Sequence, residues 1–442
     1  MSRSRRTTLD ILVHALFTLL TACVITAIVI QDHTSFLPLG VFNTGAETLH
    51  KIADACLAMA VAVLAAQLIE LVNGRLSAPC GLVRGAYMAV IILEVLLVFA
   101  DQRFVTGNPA GRLGQYYEVP HSGNPPVILK KSYMGRGLER CLADSSSAPP
   151  VSRVLFLGDS YTEGSGSSPE CNYPDVVERV LREKWRPDAH VVHAGVSGYG
   201  PVEALSLLRW YRGQGCPMKA IVYNLTLQND FADNPPRTER RVVAGIIFRF
   251  PRSWFLRTFH PLNTRTFRWA LVLVFFGQAS THEMLNAVSV AGGPCDLIAR
   301  PLTKVSPFLR VTVERDYENA RRVVACSDGY REATNAIAGM RSIAAQMKVP
   351  FLLVVFPDRV LADTQLRELM GMQAPDASSQ LHAYATQLEA DRVIDVYDQL
   401  AARTGMYRPV DTHLSDLGNV VAGEYVGNAL AEALRDAALP KN

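Results

Sequence analysis

From Val151 to Arg435, short apolar runs alternate with segments of helical spacing, and few folds accommodate that rhythm. Arg153–Leu157, Ala189–His193, Ala220–Thr226, Phe351–Phe356 and Val393–Val396 are brief and mostly apolar, as strands buried on both faces are. Between them, Tyr173–Lys184, Val202–Arg212, Tyr330–Met347, Gln380–Glu389 and Ser415–Arg435 repeat apolar residues at helical intervals. Strands alternating with helices at this spacing predict an α/β domain, a parallel sheet covered on both faces, over 151–437.

One stretch, Pro235–Asp328, breaks the alternation. It carries Phe248-Arg249-Phe250-Pro251-Arg252-Ser253-Trp254-Phe255 and an apolar run, Trp269–Gly277, that is too short to span a bilayer. Interleaved arginines and aromatics suit a segment lying against a membrane surface, the alternative being an insertion that packs on its own domain. Residues 106–150 are rich in Gly, Pro and Ser, including Gly123-Asn124-Pro125-Pro126 and Ser145–Pro150, and read as a connector.

The chain is 49% hydrophobic and 19% charged, and the apolar excess sits in residues 1–105. Leu9–Ile30, charged only at Asp10, is long enough to cross a hydrocarbon core of about 30 Å. It exceeds a signal-peptide core and has no clean cleavage site before Gln31, so it reads as an uncleaved anchor. Ile52–Val72 is a second expected transmembrane helix, and Ala86–Ala100, interrupted by Glu94, a third and weaker one. Arg3, Arg5 and Arg6 share a side with Arg75 and Arg84, which the positive-inside rule places in the cytoplasm. Three crossings then put the α/β domain outside; if Ala86–Ala100 only lies on the surface, the domain is cytoplasmic. The lipid bilayer is the expected partner. A net charge of +3 without a basic block argues against nucleic acid. Cys141, Cys171, Cys216, Cys295 and Cys326 lie beyond the anchor, without a C-x-x-C pair, and leave room for one or two disulfides.

The chemistry concentrates in Gly158-Asp159-Ser160-Tyr161-Thr162-Glu163-Gly164, directly after the first strand of the α/β region. That context places Ser160 at the carboxyl edge of a parallel sheet, where such sheets bind ligands. A nucleophile elbow, G-x-S-x-G, is absent, and Gly164-Ser165-Gly166 lacks the third glycine of a dinucleotide loop. His282 and His382 have no ligand-like neighbours, so neither a metal nor a cofactor is expected. His193, at a strand end, reads as a packing or hydrogen-bonding residue, and Asp159 as a turn holder.

Four blocks in order resemble the SGNH (GDSL-type) serine hydrolase family: Gly158–Gly164, His193–Gly200, Gln228-Asn229-Asp230 and Asp411-Thr412-His413. The resemblance implies a flavodoxin-like three-layer α/β/α domain. It assigns Ser160 as nucleophile, His413 as base, Asp411 as acid, and Ser160, Gly198 and Asn229 as oxyanion-hole donors. Two departures stand out: Leu227 replaces the third block's usual glycine, and Asp411 precedes His413 by two residues rather than three. The shorter spacing is similar to that of glycan O-acetylation proteins. Asp395 and Asp398 are the alternative acids.

The chemistry is coherent in itself, since a serine hydroxyl needs a neighbouring imidazole to become a nucleophile and a carboxylate to orient that imidazole. The resulting expectation is a multi-pass protein of the bacterial inner (cytoplasmic) membrane, its catalytic domain on the periplasmic side. There it is expected to act as an esterase on acylated carbohydrate or lipid. An O-acyltransferase for a cell-surface glycan and an inactive glycan-binding scaffold are the competing readings.

Overall fold

The computed structural model describes residues 8–30, 57–68, 116–119, 125–130, 151–165, 167–226, 230–231, 238–243, 246–251, 328–373, 384–409 and 412–438, with isolated positions elsewhere. The chain divides into two compact units, one of Met1–Tyr117 with Arg237–Ser280, the other of Glu118–Pro236 with Thr281–Asn442.

In the first unit, helix α1 runs Thr8–Ile30. Its described side chains cover 15–28, and 57–68 is the described helical part of the second expected span. Among the described residues no helix is long and apolar enough to cross a membrane. Ala86–Ala100 lies outside the described residues. The same unit holds an antiparallel hairpin that the sequence reading did not foresee. Its strands, here β6 (Thr238–Val243) and β7 (Ile246–Pro251), pair from Val243↔Ile246 to Thr238↔Pro251. The segment expected to be interfacial thus begins as β7, while Trp254 and Trp269–Gly277 lie outside the described residues.

The second unit is built on five strands: β3 (Ser152–Gly158), β4 (Ala189–Gly195), β5 (Ala220–Thr226), β8 (Phe351–Phe356) and β9 (Arg392–Asp395). They are all parallel, in the order β4-β3-β5-β8-β9. Counting only these strands, the order is 2-1-3-4-5, that of the flavodoxin-like doubly wound fold. Two further short strands, β1 (Tyr116–Glu118) and β2 (Ile128–Lys130), pair within the stretch read as a connector, and Ile128 there is fully buried.

The helices are short α2 (Ser160–Glu163), α3 (Tyr173–Lys184), α4 (Pro201–Gly213), α5 (Asp328–Met347), α6 (Arg359–Ala362), α7 (Thr364–Met370), α8 (Tyr397–Ala401) and α9 (Asp416–Ala438). On one face of the sheet, Val154, Phe156, Val191, Val222 and Val354 pack against Val177 and Leu181 of α3 and Val426 and Leu430 of α9. On the other, α4 and α5 meet where Gly339 faces Leu205 with no room for a Cβ. Three layers result. Burying each large aliphatic side chain in them is worth about 1.5–3 kcal/mol.

Helix α3 starts where it does for a local reason. The Asn172 side chain accepts from Asp175 N–H at 3.0 Å, and Pro174 sits in the first turn, where its missing N–H costs nothing. The first and third strands of the order, β3 and β5, are neighbours whose connections leave in opposite directions, and that switch point is where such sheets open a crevice.

Candidate active site

Ser160 follows β3 by two residues and opens α2. Asp159 caps this helix by accepting from Tyr161 N–H at 2.9 Å, and the Asn224 side chain on β5 donates to the same oxygen at 3.3 Å. Both groups are buried, so the turn is fixed from within the sheet. Asp159 is thus a turn holder, as read from the sequence. Asn224 lies within a fully buried strand.

Register brings a second turn alongside. Gly158 of β3 pairs with Gly195 of β4, so Ser160 and Gly198 leave the same edge of the sheet. Val196 N–H donates to Gly158 O at 3.1 Å, and Tyr199 N–H to Val196 O at 2.9 Å. The turn so closed places Gly198 at φ 71°, where a side chain would be strained. Neither the Ser160 nor the Gly198 amide has an acceptor among the described residues. Two unsatisfied N–H groups at one sheet edge are what a developing oxyanion requires.

His413 arrives from the far end of the sequence. Its Nε2 lies 2.9 Å from Ser160 Oγ. Arg408 N–H donates to His413 O and Ser415 N–H to Met406 O, both at 2.9 Å, around a bridge between Tyr407 and Leu414. Ser415 then starts α9: its hydroxyl accepts from Gly418 N–H at 3.0 Å and donates to Gly405 O at 2.6 Å. Tyr161, next to Ser160, donates its hydroxyl to Thr412 O at 2.9 Å and sets its ring 5.7 Å from the imidazole. Burial, with Tyr407 and the carboxylates of Asp358 and Asp159 adding to it, holds the Tyr161 phenol far above its usual pKa. It therefore stays a neutral donor at any working pH. Beneath it, Tyr161 and Tyr173 both pack on Phe356.

Of the residues expected to act together, the structure brings Ser160, His413 and Gly198 to one edge. Asn229 and Asp411 lie outside the described residues. The ends of the segment carrying Asn229 are nevertheless fixed: Asp230 is buried and accepts from Thr226 N–H and Tyr223 OH, each at 2.7 Å. Of the alternative acids, Asp395 accepts from Tyr397 N–H, the first amide of α8, at 2.9 Å. His193 pairs with Asp175 of α3 at 2.9 Å, a hydrogen-bonding role as expected. No group of His, Cys, Asp and Glu among the described residues suits a metal ion.

Sequence reasoning did not foresee the parts played by Tyr161, Glu163 and Asp230. The Glu163 carboxylate accepts from Ser197 N–H at 2.5 Å. Asp230 directly follows the third block's asparagine, which was the available signal; Tyr161 and Glu163 had none beyond their place in the first block.

No family model matches the chain, and no curated protein matches it. Among solved structures it is similar to a lipase from a goat rumen metagenome, at 14% identity over 66% of this chain and 99% of that one, with a TM-score of 0.34. It is similar to a GDSL-like lipase from Bacteroides thetaiotaomicron at 14% identity, over 67% and 97% of the two chains, with a TM-score of 0.30. A two-domain esterase active on acetylated mannans matches at 14% identity over 69% of this chain and 54% of its own length, with a TM-score of 0.32.

Proposed function

We propose that this chain is a membrane-anchored SGNH-type serine esterase that cleaves acyl esters of envelope glycans or lipids. The observation that carries the reading is the 2.9 Å contact between Ser160 Oγ and His413 Nε2 beside two amides that have no acceptor among the described residues. In this reading His413 takes the serine proton as Oγ attacks the acyl carbonyl. The oxyanion is received by the Ser160 and Gly198 amides and the Asn229 side chain. The imidazolium, oriented by Asp411, returns the proton to the departing alkoxide, leaving an acyl-serine. Water then enters by the same route and releases the acid. An inert scaffold would have no need of a serine and an imidazole held in contact.

Placement outside the cytoplasm draws support from chemistry. Cys171 and Cys216 are both disulfide-bonded, a state that persists in oxidising compartments. Among the described residues, five of the seven large hydrophobic side chains exposed to solvent, Leu16, Leu19, Met59, Val61 and Leu68, belong to the N-terminal helical segments. Half of the expected interfacial insertion, Arg237–Ser280, groups with that same N-terminal unit.

The test is to offer the purified full chain an activated acetyl ester with and without oligosaccharide acceptors, following acetate and acetylated sugar separately. Acetate release that Ser160→Ala abolishes is expected. Acetylated sugar in preference to acetate would make the protein an O-acyltransferase using the same acyl-serine. No turnover at all would leave the scaffold.

A further inference from the structure

We propose that Glu163 is a positioning residue that fixes the Gly198 oxyanion donor relative to the nucleophile, an inference that rests on the esterase reading of Ser160. Helix α2 is four residues long and bears Ser160 at its first position and Glu163 at its last. Glu163 is 4% exposed, and its carboxylate accepts from Ser197 N–H at 2.5 Å. The next amide in the chain is that of Gly198. One rigid turn of helix thus carries the attacking oxygen at one end and grips the oxyanion turn at the other.

Three further contacts make the grip specific. Gly195 has no room for a Cβ, which would stand 2.3 Å from Glu163 N, so β4 and α2 touch backbone to backbone just before the turn. Ser165, one residue past the Gly164 that ends α2, shares a 3.1 Å hydrogen bond with the Ser197 hydroxyl. The Tyr199 hydroxyl closes the far side, accepting from Ile128 N–H at 2.7 Å. The turn is therefore held on both sides of Gly198, while the Gly198 amide itself is left without an acceptor among the described residues. A buried carboxylate is costly unless its hydrogen bonds are good, and a short bond to N–H is stiffer than a neutral amide or hydroxyl would make. Stiffness is the property an oxyanion donor needs, because donors that reorganise during the reaction lose most of their effect.

The role separates from simple stabilisation in kinetics. Reach matters first and charge second: an acceptor must span to Ser197 N–H, and the carboxylate's charge adds stiffness to the bond. Glu163→Gln keeps an oxygen at the same reach and should hold kcat within about 3–5-fold of the parent. Glu163→Asp keeps the charge but falls short of Ser197 N–H, and with Glu163→Ala should lose roughly 10–100-fold in kcat, with KM within about 3-fold, less than outright deletion of a donor costs. The affinity for a boronic acid, which mimics the tetrahedral intermediate, should fall by the same factor as kcat. The measurement uses the full chain in detergent with p-nitrophenyl acetate, and thermal melts of each variant. Should the alanine variant not fold, the order of Gln above Asp decides alone. Full kcat in the Asp or Ala variant, or loss that tracks melting temperature and leaves the boronate affinity untouched, overturns the proposal. Ser160→Ala measured beside them keeps the two ideas apart: turnover that survives it overturns the esterase reading and the clamp together. Loss there with kcat kept in Glu163→Ala overturns the clamp alone.

Discussion

The two halves of the site are held in opposite ways. Ser160 sits on a turn whose hydrogen bonds are mostly made within a few residues: Asp159 to Tyr161, and Glu163 N–H to Asp159 O. His413 sits on a loop that is closed by local bonds and also fastened by partners remote in sequence. Tyr161 reaches Thr412 across 251 positions, and Ser168 bonds Asp416 through both its N–H and its hydroxyl across 248. The histidine loop is thus tied to residues that the fold must first bring together, and its placement depends on the integrity of the domain.

The most severe test strikes both halves at once. Ser160→Ala and His413→Ala should each reduce kcat by about 10⁴-fold or more, and the double variant should be no worse than either, because the pair acts as a unit. Melting temperatures should stay near the parent's for Ser160→Ala, and a fluorophosphonate probe should no longer label it. Additive losses would mean that the 2.9 Å contact is not the working one. Next in size is Asp411→Asn, expected to lower kcat by roughly 10²–10⁴-fold through the wrong imidazole tautomer. An Asp411→Asn variant with nearly full turnover beside a dead His413→Ala would reveal a Ser–His dyad.

The same contrast explains what could be read from the sequence. Strands buried on both faces are continuous apolar runs, and so Ala220–Thr226 and Phe351–Phe356 were legible to the residue. Ser160 was legible because its turn is local. His413 was found through the block resemblance alone, since nothing in its neighbours announces a partner 253 positions away. Tyr161, flanking Ser160, gave no signal because the carbonyl it holds is remote in sequence. Hairpin β6–β7 was hidden because Arg240, Arg241 and Arg249 mask its alternation, and the arginines and aromatics from Phe248 on read instead as a segment lying against a membrane surface. Short helices α6 and α7 escaped because four and seven residues carry too little periodicity to register.

Tyr161→Phe sharpens the comparison where the halves meet. It keeps the ring against the imidazole and Phe356 and removes one hydrogen bond to the histidine loop. The expected result is a loss of about 3–10-fold in kcat and about 1 kcal/mol of stability, the ordinary worth of such a bond. Since the phenol remains protonated throughout the working range, the deficit should be the same from pH 6 to pH 9. A deficit that grows with pH would show that the hydroxyl exchanges protons with the site rather than merely holding Thr412.

The smallest effect on turnover is expected at Glu178, which serves neither half. It sits on α3, and its carboxylate accepts from Val191 N–H at 2.8 Å, pairs with His190 Nδ1 at 2.8 Å and meets Arg182 at 2.6 Å. Burial raises its pKa, but the hydrogen bonds from His190 and Val191, with the charges of His190 and Arg182, outweigh it and leave the group below its ordinary 4.5. A carboxyl whose folded pKa is depressed contributes stability that is present above the unfolded value and is lost as pH falls through the folded one. Glu178→Gln should therefore melt roughly 2–4 °C below the parent at pH 7, with the gap closing as pH drops below 4.5. kcat at pH 7 and 25 °C should be unchanged, because β4 is an edge strand and its bond to α3 is made at Val191, four residues before Gly195. A fall in kcat without a fall in melting temperature would mean that strain at this edge reaches the Gly198 turn, and that the oxyanion side of the site is less local than its hydrogen bonds suggest.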